Sequence, residues 1–264
     1  MGKVFGVIPA RLGSHRLPRK VLRNILGRPM IEWVYQNARR ASCLDGLVVA
    51  TDSDEVFTHC RDHGIAVEMT STEHLSGTDR IVEVMHRQRE SGQVAEIYVN
   101  VQGDEPMVSA EHINLLLEPF HAAAAVTQVS TLKVPIGAED ARDPSNVKVV
   151  TDVEGRALYF SRALIPHDRA GLASSRVLYH KHLGLYAYAA GTLERFHRLP
   201  PSQLEQIEKL EQLRLLENGI PIVVRETSQD TIGVDTEEDV RKVEEYFRRI
   251  GVRSPDDRRP VAGD

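Results

Sequence analysis

Two aspartates and a run of cations are the residues best placed to do chemistry. Asp104 stands in Gln102-Gly103-Asp104-Glu105-Pro106, just after a strand-like stretch at 97–101, and Asp235 stands in Gly233-Val234-Asp235-Thr236, ahead of a helical pattern. Isolated carboxylates at the edge of a parallel sheet suit Mg²⁺, a hard ion that takes one or two carboxylates and keeps its other positions for water and substrate phosphates. Each also has a plain structural reading, Asp104 as a turn former and Asp235 as an acid at a helix N-terminus. The cations crowd the other end of the chain: Lys3, Arg11, Arg16, Arg19, Lys20, Arg23 and Arg28 all precede the first acid, Glu32. Even mixing of acids along the chain would place roughly four or five of them there. In a chain of net charge −5 such a patch fits an anionic partner. Leaving the first strand of an α/β pattern, it would lie where such folds bind ligands, and it reads as a phosphate-binding loop. A solvated basic loop is the ordinary alternative.

The elements needed to hold these groups follow from periodicity. Strands are expected at 4–8, 47–50, 66–69 and 97–101, alternating with helices at 31–41, 54–63, 78–89 and 110–120. That alternation predicts a doubly wound α/β fold with a mostly parallel sheet. From 126 the rhythm changes: strand-like stretches at 126–134, 147–151, 156–160 and 177–189 follow one another without helices between them. They predict an antiparallel insertion over about 126–190, a place for substrate and dimer contacts. Helices return at 191–199 and 203–217, the second opened by a Ser202-x-x-Glu205 capping box. A strand at 222–225 and a helix at 236–250, with Thr236 as N-cap, close a single domain over 1–251. Residues 252–264 are polar, with little apolar content, and are expected to form a disordered tail.

Composition narrows the class. With 41% hydrophobic and 27% charged residues the chain is of ordinary globular type. No apolar run approaches the ~20 residues of a membrane span. The apolar run ending at Pro9 is too short for a secretory signal, and Gly6 breaks a myristoylation motif. Two cysteines, Cys43 and Cys60, exclude a disulfide scaffold and suit a reducing cytoplasm. His59-x-x-x-His63 would share a helix face and His180-x-His182 a strand face, but neither pair has the further sequence ligands of a zinc centre. No dinucleotide or P-loop fingerprint occurs, nor a nucleophile elbow.

Residues 9–20 read P-A-R-x-x-S-x-R-L-P-x-K. This stretch resembles the nucleotide-binding signature of the sugar-acid cytidylyltransferases, and most closely that of the 3-deoxy-manno-octulosonate (Kdo) cytidylyltransferases, or CMP-Kdo synthetases. Further stretches match that family in order: 69–80 (M-T-x-x-x-H-x-S-G-T-D-R), 100–106 (N-V-Q-G-D-E-P), 159–166 (Y-F-S-R-A-x-I-P), 182–186 (H-L-G-x-Y), 210–214 (L-E-Q-L-R) and 233–239 (G-V-D-T-x-E-D). The resemblance covers about residues 4–250. It implies a nucleotide-diphospho-sugar-transferase-like fold and a nucleotide site formed by Pro9, Ala10, Arg11, Ser14, Arg16, Lys20, Ser76, Gly77, Thr78, Arg80 and Asp104. It further implies Mg²⁺ held by Asp104 and Asp235, with Arg16 and Lys20 sharing the catalytic work.

For the sugar acid the resemblance implies Gln102, Arg162, His182, Tyr186, Glu211 and Gln212, the last two mid-helix by periodicity. An arginine such as Arg162 can grip a carboxylate bidentately. The implied reaction joins CTP to Kdo, giving CMP-Kdo and pyrophosphate for lipopolysaccharide biosynthesis, in a cytoplasmic homodimer with no nucleic-acid or membrane partner. Sialic acid or an amino-ulosonic acid is the alternative substrate. Two other classes share the fold. A silent nucleotide-sugar-binding protein is disfavoured by the retained aspartates. A glycosyltransferase would use an Asp-x-Asp pair, and the one present, Asp52-Ser53-Asp54, lies apart from the matched metal positions.

Overall fold

The structure, a computed structural model, describes residues 2–13, 16–121, 127–169, 171 and 179–252. Ser14 and the proposed tail beyond 252 therefore lie outside the described residues.

Strand β1 (Val4–Pro9) buries Val4, Val7 and Ile8 completely and ends at a proline, which has no N–H to continue a ladder. A 3₁₀ turn (Lys20–Leu22) and a small hairpin of β2 (Asn24–Ile25) and β3 (Arg28–Pro29) follow. The hairpin turns through Leu26 and Gly27, both at positive φ, which is the geometry of a two-residue turn. Periodicity does not reveal this hairpin, because two-residue strands are too short to alternate.

Helix α1 (Met30–Ala38) buries Ile31, Val34, Tyr35 and Ala38 along one face. Next come β4 (Gly46–Thr51), α2 (Asp54–Asp62), β5 (Val67–Met69), α3 (Gly77–Glu90), β6 (Ile97–Asn100) and α4 (Ala110–His121). Ser53 caps α2, its Oγ accepting the Val56 N–H at 3.4 Å. The second half runs β7 (Val129–Ile136), α5 (Ala138–Arg142), β8 (Lys148–Thr151), β9 (Ala157–Ser161), β10 (Tyr179–Ala189), α6 (Ala190–Arg198), α7 (Gln203–Glu208), α8 (Leu213–Glu217), β11 (Ile222–Glu226) and α9 (Glu237–Arg249).

Two expectations are corrected. The insertion is not free of helix: α5 stands between β7 and β8, too short to show a period and opened by Gly137 with Glu139 and Asp140 in its first turn. The helix expected over 203–217 is two helices. Lys209 adopts φ 56, ψ 47, ending α7, and α8 restarts at Leu213. Glu211 and Gln212 therefore lie in the break between two helices rather than mid-helix. At the start of α7, Glu205 accepts the Ser202 N–H at 3.0 Å.

The described chain divides into two compact units. The first holds residues 2–5, 85–100 and 111–230, and is organised on β10. That strand pairs antiparallel with β6 (Tyr186 opposite Asn100), with β7 (Leu183 opposite Leu132) and with β8. Strand β11 runs parallel to β7, and β8 antiparallel to β9. A register shift interrupts the β10–β7 pairing between Leu183 and Tyr186. The second unit holds 6–84, 101–110 and 231–252. There β4 and β5 are parallel, and Trp33 on α1 packs on Phe247 of α9 with ring centroids 4.7 Å apart.

Candidate active site

The second unit builds its site from three chain segments brought together by backbone contacts. Ala10 donates its N–H to Ala50 O at 2.8 Å, and Val101 donates to Val7 O at 3.0 Å, so the chain leaving β1 runs beside the turn that carries Asp104. Gly103 makes that approach possible. A Cβ there would stand 2.6 Å from the Pro9 carbonyl oxygen. Val234 donates to Asp104 O at 2.9 Å, drawing in the third segment. Asp235 is then held by α9: Asp239 Oδ2 accepts the N–H groups of Asp235 and Thr236 at 3.1 and 2.9 Å, while Thr236 Oγ1 accepts the Asp239 N–H at 3.2 Å.

The basic loop meets both aspartates. Lys20 Nζ donates to Asp104 Oδ2 at 2.6 Å and to Asp235 Oδ1 at 2.9 Å, and an Arg16 Nη2 lies 2.7 Å from Asp235 Oδ2. Burial alone would lower the Lys20 pKa. The Asp104 carboxylate and then Asp235 outweigh it, and the net shift is upward, so the ammonium stays charged. These groups edge a cleft of about 900 Å³ whose walls also carry Arg11, Ser76, Gly77 and Gln102.

The wall from α3 is built differently from a set of free phosphate ligands. Ser76 caps the helix, its Oγ accepting the Asp79 N–H at 3.2 Å while Asp79 Oδ2 accepts the Ser76 N–H at 3.1 Å. Gly77 faces Pro9, and a Cβ would come 3.3 Å from the proline ring. Thr78 and Arg80 are buried. The Arg80 guanidinium donates to Asp52, to Thr70 Oγ1 at 2.7 Å and to Ser71 O at 3.1 Å, so it anchors the loop ahead of α3. In the Asp-x-Asp stretch, Asp52 pairs with Arg80 and Ser53 caps α2.

Two carboxylate oxygens converging on one cationic nitrogen, beside an open cleft, are a donor set that fits Mg²⁺: hard, anionic and incomplete. A metal there would compete with Lys20 for both carboxylates.

Five of the six residues matched to the sugar acid lie in the first unit; Gln102 lies on the cleft wall of the second. His182 is buried, edge-on to Phe160 at 4.9 Å, and its Nε2 lies 3.0 Å from Thr131 Oγ1. The Thr131 hydroxyl has one proton, and carbonyl oxygens of Leu185 (2.7 Å) and Leu183 (3.2 Å) compete to accept it. His182 Nε2 must therefore donate to Thr131, which leaves Nδ1 as a lone-pair acceptor. Burial, with help from Lys181, pushes the His182 pKa down to about 3, so the ring is neutral near pH 7. Tyr186 is buried near Glu211 and its phenol pKa is pushed well up, chiefly by that burial. Gln212 keeps a buried Nε2 with no hydrogen-bond partner, as does Asn100 its Oδ1.

Arg162 is held from two sides. Its Nε donates to Glu208 O at 3.1 Å and an Nη1 to Pro144 O at 3.1 Å, while Glu208 Oε2 accepts its backbone N–H at 2.9 Å. Lys148, fully buried, donates to Arg162 O at 2.7 Å, Asn146 O at 2.5 Å and Asp143 O at 3.0 Å. Lys148, Glu208 and Thr131 escape sequence reading. Each belongs to an ordinary strand or helix pattern, and only their spatial partners give them a role.

The profile of the family described as "Cytidylyltransferase" matches residues 5–228. Chains named 3-deoxy-manno-octulosonate cytidylyltransferase are similar over most of their length. One from Acidobacterium capsulatum is 53% identical over 244 residues, 92% of this chain and 96% of its own, and one from Koribacter versatilis is 52% identical over 246 residues, 93% and 90%. The chain belongs to the cytidylyltransferase family. A solved structure described as CMP:2-keto-3-deoxy-manno-octonic acid synthetase complexed with CTP superposes on this cytidylyltransferase with a TM-score of 0.86 at 42% identity, covering 94% of this chain and 99% of that one. A 4-diphosphocytidyl-2C-methyl-D-erythritol synthase, 16% identical with a TM-score of 0.62, shares the fold. The cytidylyltransferase thus has an α/β nucleotidyltransferase fold with a mixed sheet, to which the 129–189 region contributes antiparallel strands.

Proposed function

We propose that this chain transfers CMP from CTP to the anomeric hydroxyl of 3-deoxy-manno-octulosonate, releasing pyrophosphate and activating the sugar acid for lipopolysaccharide synthesis. The observation that carries the reading is the convergence of Lys20 on Asp104 and Asp235 within a cation-lined cleft, in a chain whose relatives bear that enzyme's name. The anomeric oxygen bonds to the α-phosphorus, the bond from that phosphorus to the β-phosphate's bridging oxygen breaks, and the hydroxyl proton leaves to solvent. Arg11, Arg16 and Lys20 offset the triphosphate's charge. Asp104 and Asp235 hold Mg²⁺, which when bound supplies charge neutralisation and a lowered hydroxyl pKa.

For the sugar acid, the acceptor Nδ1 of His182 takes a hydroxyl proton in a hydrogen bond, and Gln212 Nε2 donates to a sugar oxygen. Arg162, fixed through Nε and one Nη, offers its other Nη to the carboxylate. With a pKa near 3, His182 positions the substrate and does not deprotonate it. The reading includes a cytoplasmic homodimer. Val153 and Leu158, large apolar side chains in the 126–190 region, are exposed and would be covered by a second copy, which sedimentation at graded concentrations tests. None of the described helices is long and apolar enough to cross a membrane.

Pyrophosphate release with CTP, Mg²⁺ and a panel of sugar acids tests the substrate. Turnover is expected with Kdo, and faster turnover with sialic acid or an amino-ulosonic acid overturns the assignment. Arg162→Ala should raise KM for the sugar acid far more than for CTP, and equal changes would remove its role.

A further inference from the structure

A second cluster of metal-binding side chains stands elsewhere in the 6–84 part of the chain. His59 on α2 and His63, the residue that ends it, lie one turn apart, with rings stacked at a centroid separation of 4.2 Å. Glu32, in the first turn of α1, places Oε1 2.9 Å from His59 Nε2 and 4.0 Å from His63 Nε2. One ligand atom from each of the three lies within 4.8 Å of the others. Sequence alone shows only the histidine pair; the third donor comes from a different helix.

The His63 ring is already oriented as a ligand, while His59 Nε2, now donating to Glu32, would give up its proton to an ion. His63 Nδ1 lies 2.8 Å from the His59 carbonyl oxygen. A carbonyl only accepts, so in the neutral ring Nδ1 carries the proton and Nε2 keeps its lone pair, on the side of Glu32. An imidazole that donates one ring N–H to a carbonyl while the other nitrogen faces the ion is the usual outer-shell arrangement of metal-bound histidine. Tetrahedral zinc with bonds of about 2.0–2.1 Å sets its ligand atoms roughly 3.4 Å apart. The observed 2.9 and 4.0 Å bracket that spacing, and a small rotation of the half-exposed His63 ring would even them. His63 is half exposed, and the two histidines edge an open groove with Asp54 and Asp62, so an ion can enter from that side and keep water as its fourth ligand.

We propose that Glu32, His59 and His63 form a second metal site, distinct from the two aspartates, for a borderline transition ion such as Zn²⁺. Two imidazole nitrogens and one carboxylate suit Zn²⁺ and Co²⁺ and do not suit Mg²⁺, which prefers oxygen. The ion clamps α1 to α2.

The test uses the full chain, stripped with a chelator and titrated with Co²⁺ in the presence of excess Mg²⁺, following the visible d–d bands and the melting temperature. The expected result is one saturable Co²⁺ per chain, displaced by Zn²⁺, with a rise in Tm. His63→Ala, on a half-exposed ring, should abolish the bands and leave CTP turnover unchanged. Glu32→Gln, nearly isosteric, should weaken Co²⁺ by at least about ten-fold. Absence of a saturable Co²⁺ spectrum, or one that survives His63→Ala unchanged, overturns the site.

Discussion

Val234 donates its backbone N–H to the carbonyl oxygen of Asp104 at 2.9 Å. That single bond joins the turn after β6 to the loop before α9, two segments far apart in sequence. The carboxylates of Asp104 and of Asp235, the next residue after Val234, consequently address the same ammonium, Lys20 Nζ, at 2.6 and 2.9 Å. Two carboxylates converging in this way need backbone fixed on both sides, since two loop aspartates on free tethers would repel each other.

Asp104→Asn and Asp235→Asn should each lower turnover by at least ~10³, the several kcal/mol that a catalytic ion contributes. Pyrophosphate release at saturating CTP measures it, with circular dichroism to establish folding. Near-normal rates in a folded variant would exclude the metal role.

Gly103→Ala places a methyl 2.6 Å from the Pro9 carbonyl oxygen, which is backbone and cannot step aside. A stability loss of ~1–3 kcal/mol is expected in urea denaturation, the range for overpacking, together with slower turnover because Asp104 must move. An unchanged denaturation midpoint would mean that the turn relaxes freely.

Lys148→Met separates two views of a buried ammonium. Three carbonyls lose their donor, at about 1 kcal/mol each, so a loss of ~3 kcal/mol is expected if those bonds dominate. If the cost of burying the charge dominates, the variant will be as stable as the parent or more so. Denaturation of the two chains side by side decides.

Thr131→Val removes the acceptor that orients His182 while keeping the side chain's shape. KM for the sugar acid should rise with KM for CTP unchanged, and Thr131→Ser should restore it. A parallel rise in both constants would indicate general disruption of β7.

Acid stability should reflect His182. Its folded pKa, about 3, lies below the ordinary 6.5, so the unfolded chain takes the proton first. The stability held by the neutral ring is complete above about pH 6.5 and falls as the pH drops towards 3, by at most about 1.4 kcal/mol per pH unit. Burial shifts His112 and His180 in the same direction, so they share that acid limb. His182→Gln should make it shallower in urea titrations at a series of pH values, and an identical slope would contradict the shift.

Much of the fold is legible in the residues because long elements carry long patterns. The apolar spacing of 31–41 and 110–120 and the strand-like stretch at 97–101 correspond to α1, α4 and β6 within about three residues. Short or locally exceptional elements are not legible. The β2–β3 hairpin, the one-and-a-half-turn α5 and the left-handed Lys209 that splits the 203–217 stretch leave no periodic trace.

Residue types and their order determined by themselves which groups are available: an acid-free cationic amino terminus, two lone aspartates after strand-like and before helix-like stretches, and a histidine pair at helical spacing. Only the tertiary structure decided which of them meet. It put Lys20 between Asp104 and Asp235, paired Arg80 with Asp52 on the cleft wall, gave His182 its acceptor face through Thr131, and brought Glu32 to His59 and His63. The physical reason is the same in each case. Charge and hydrogen-bond partners act over a few ångströms in space, and chain folding sets those distances independently of separation along the sequence.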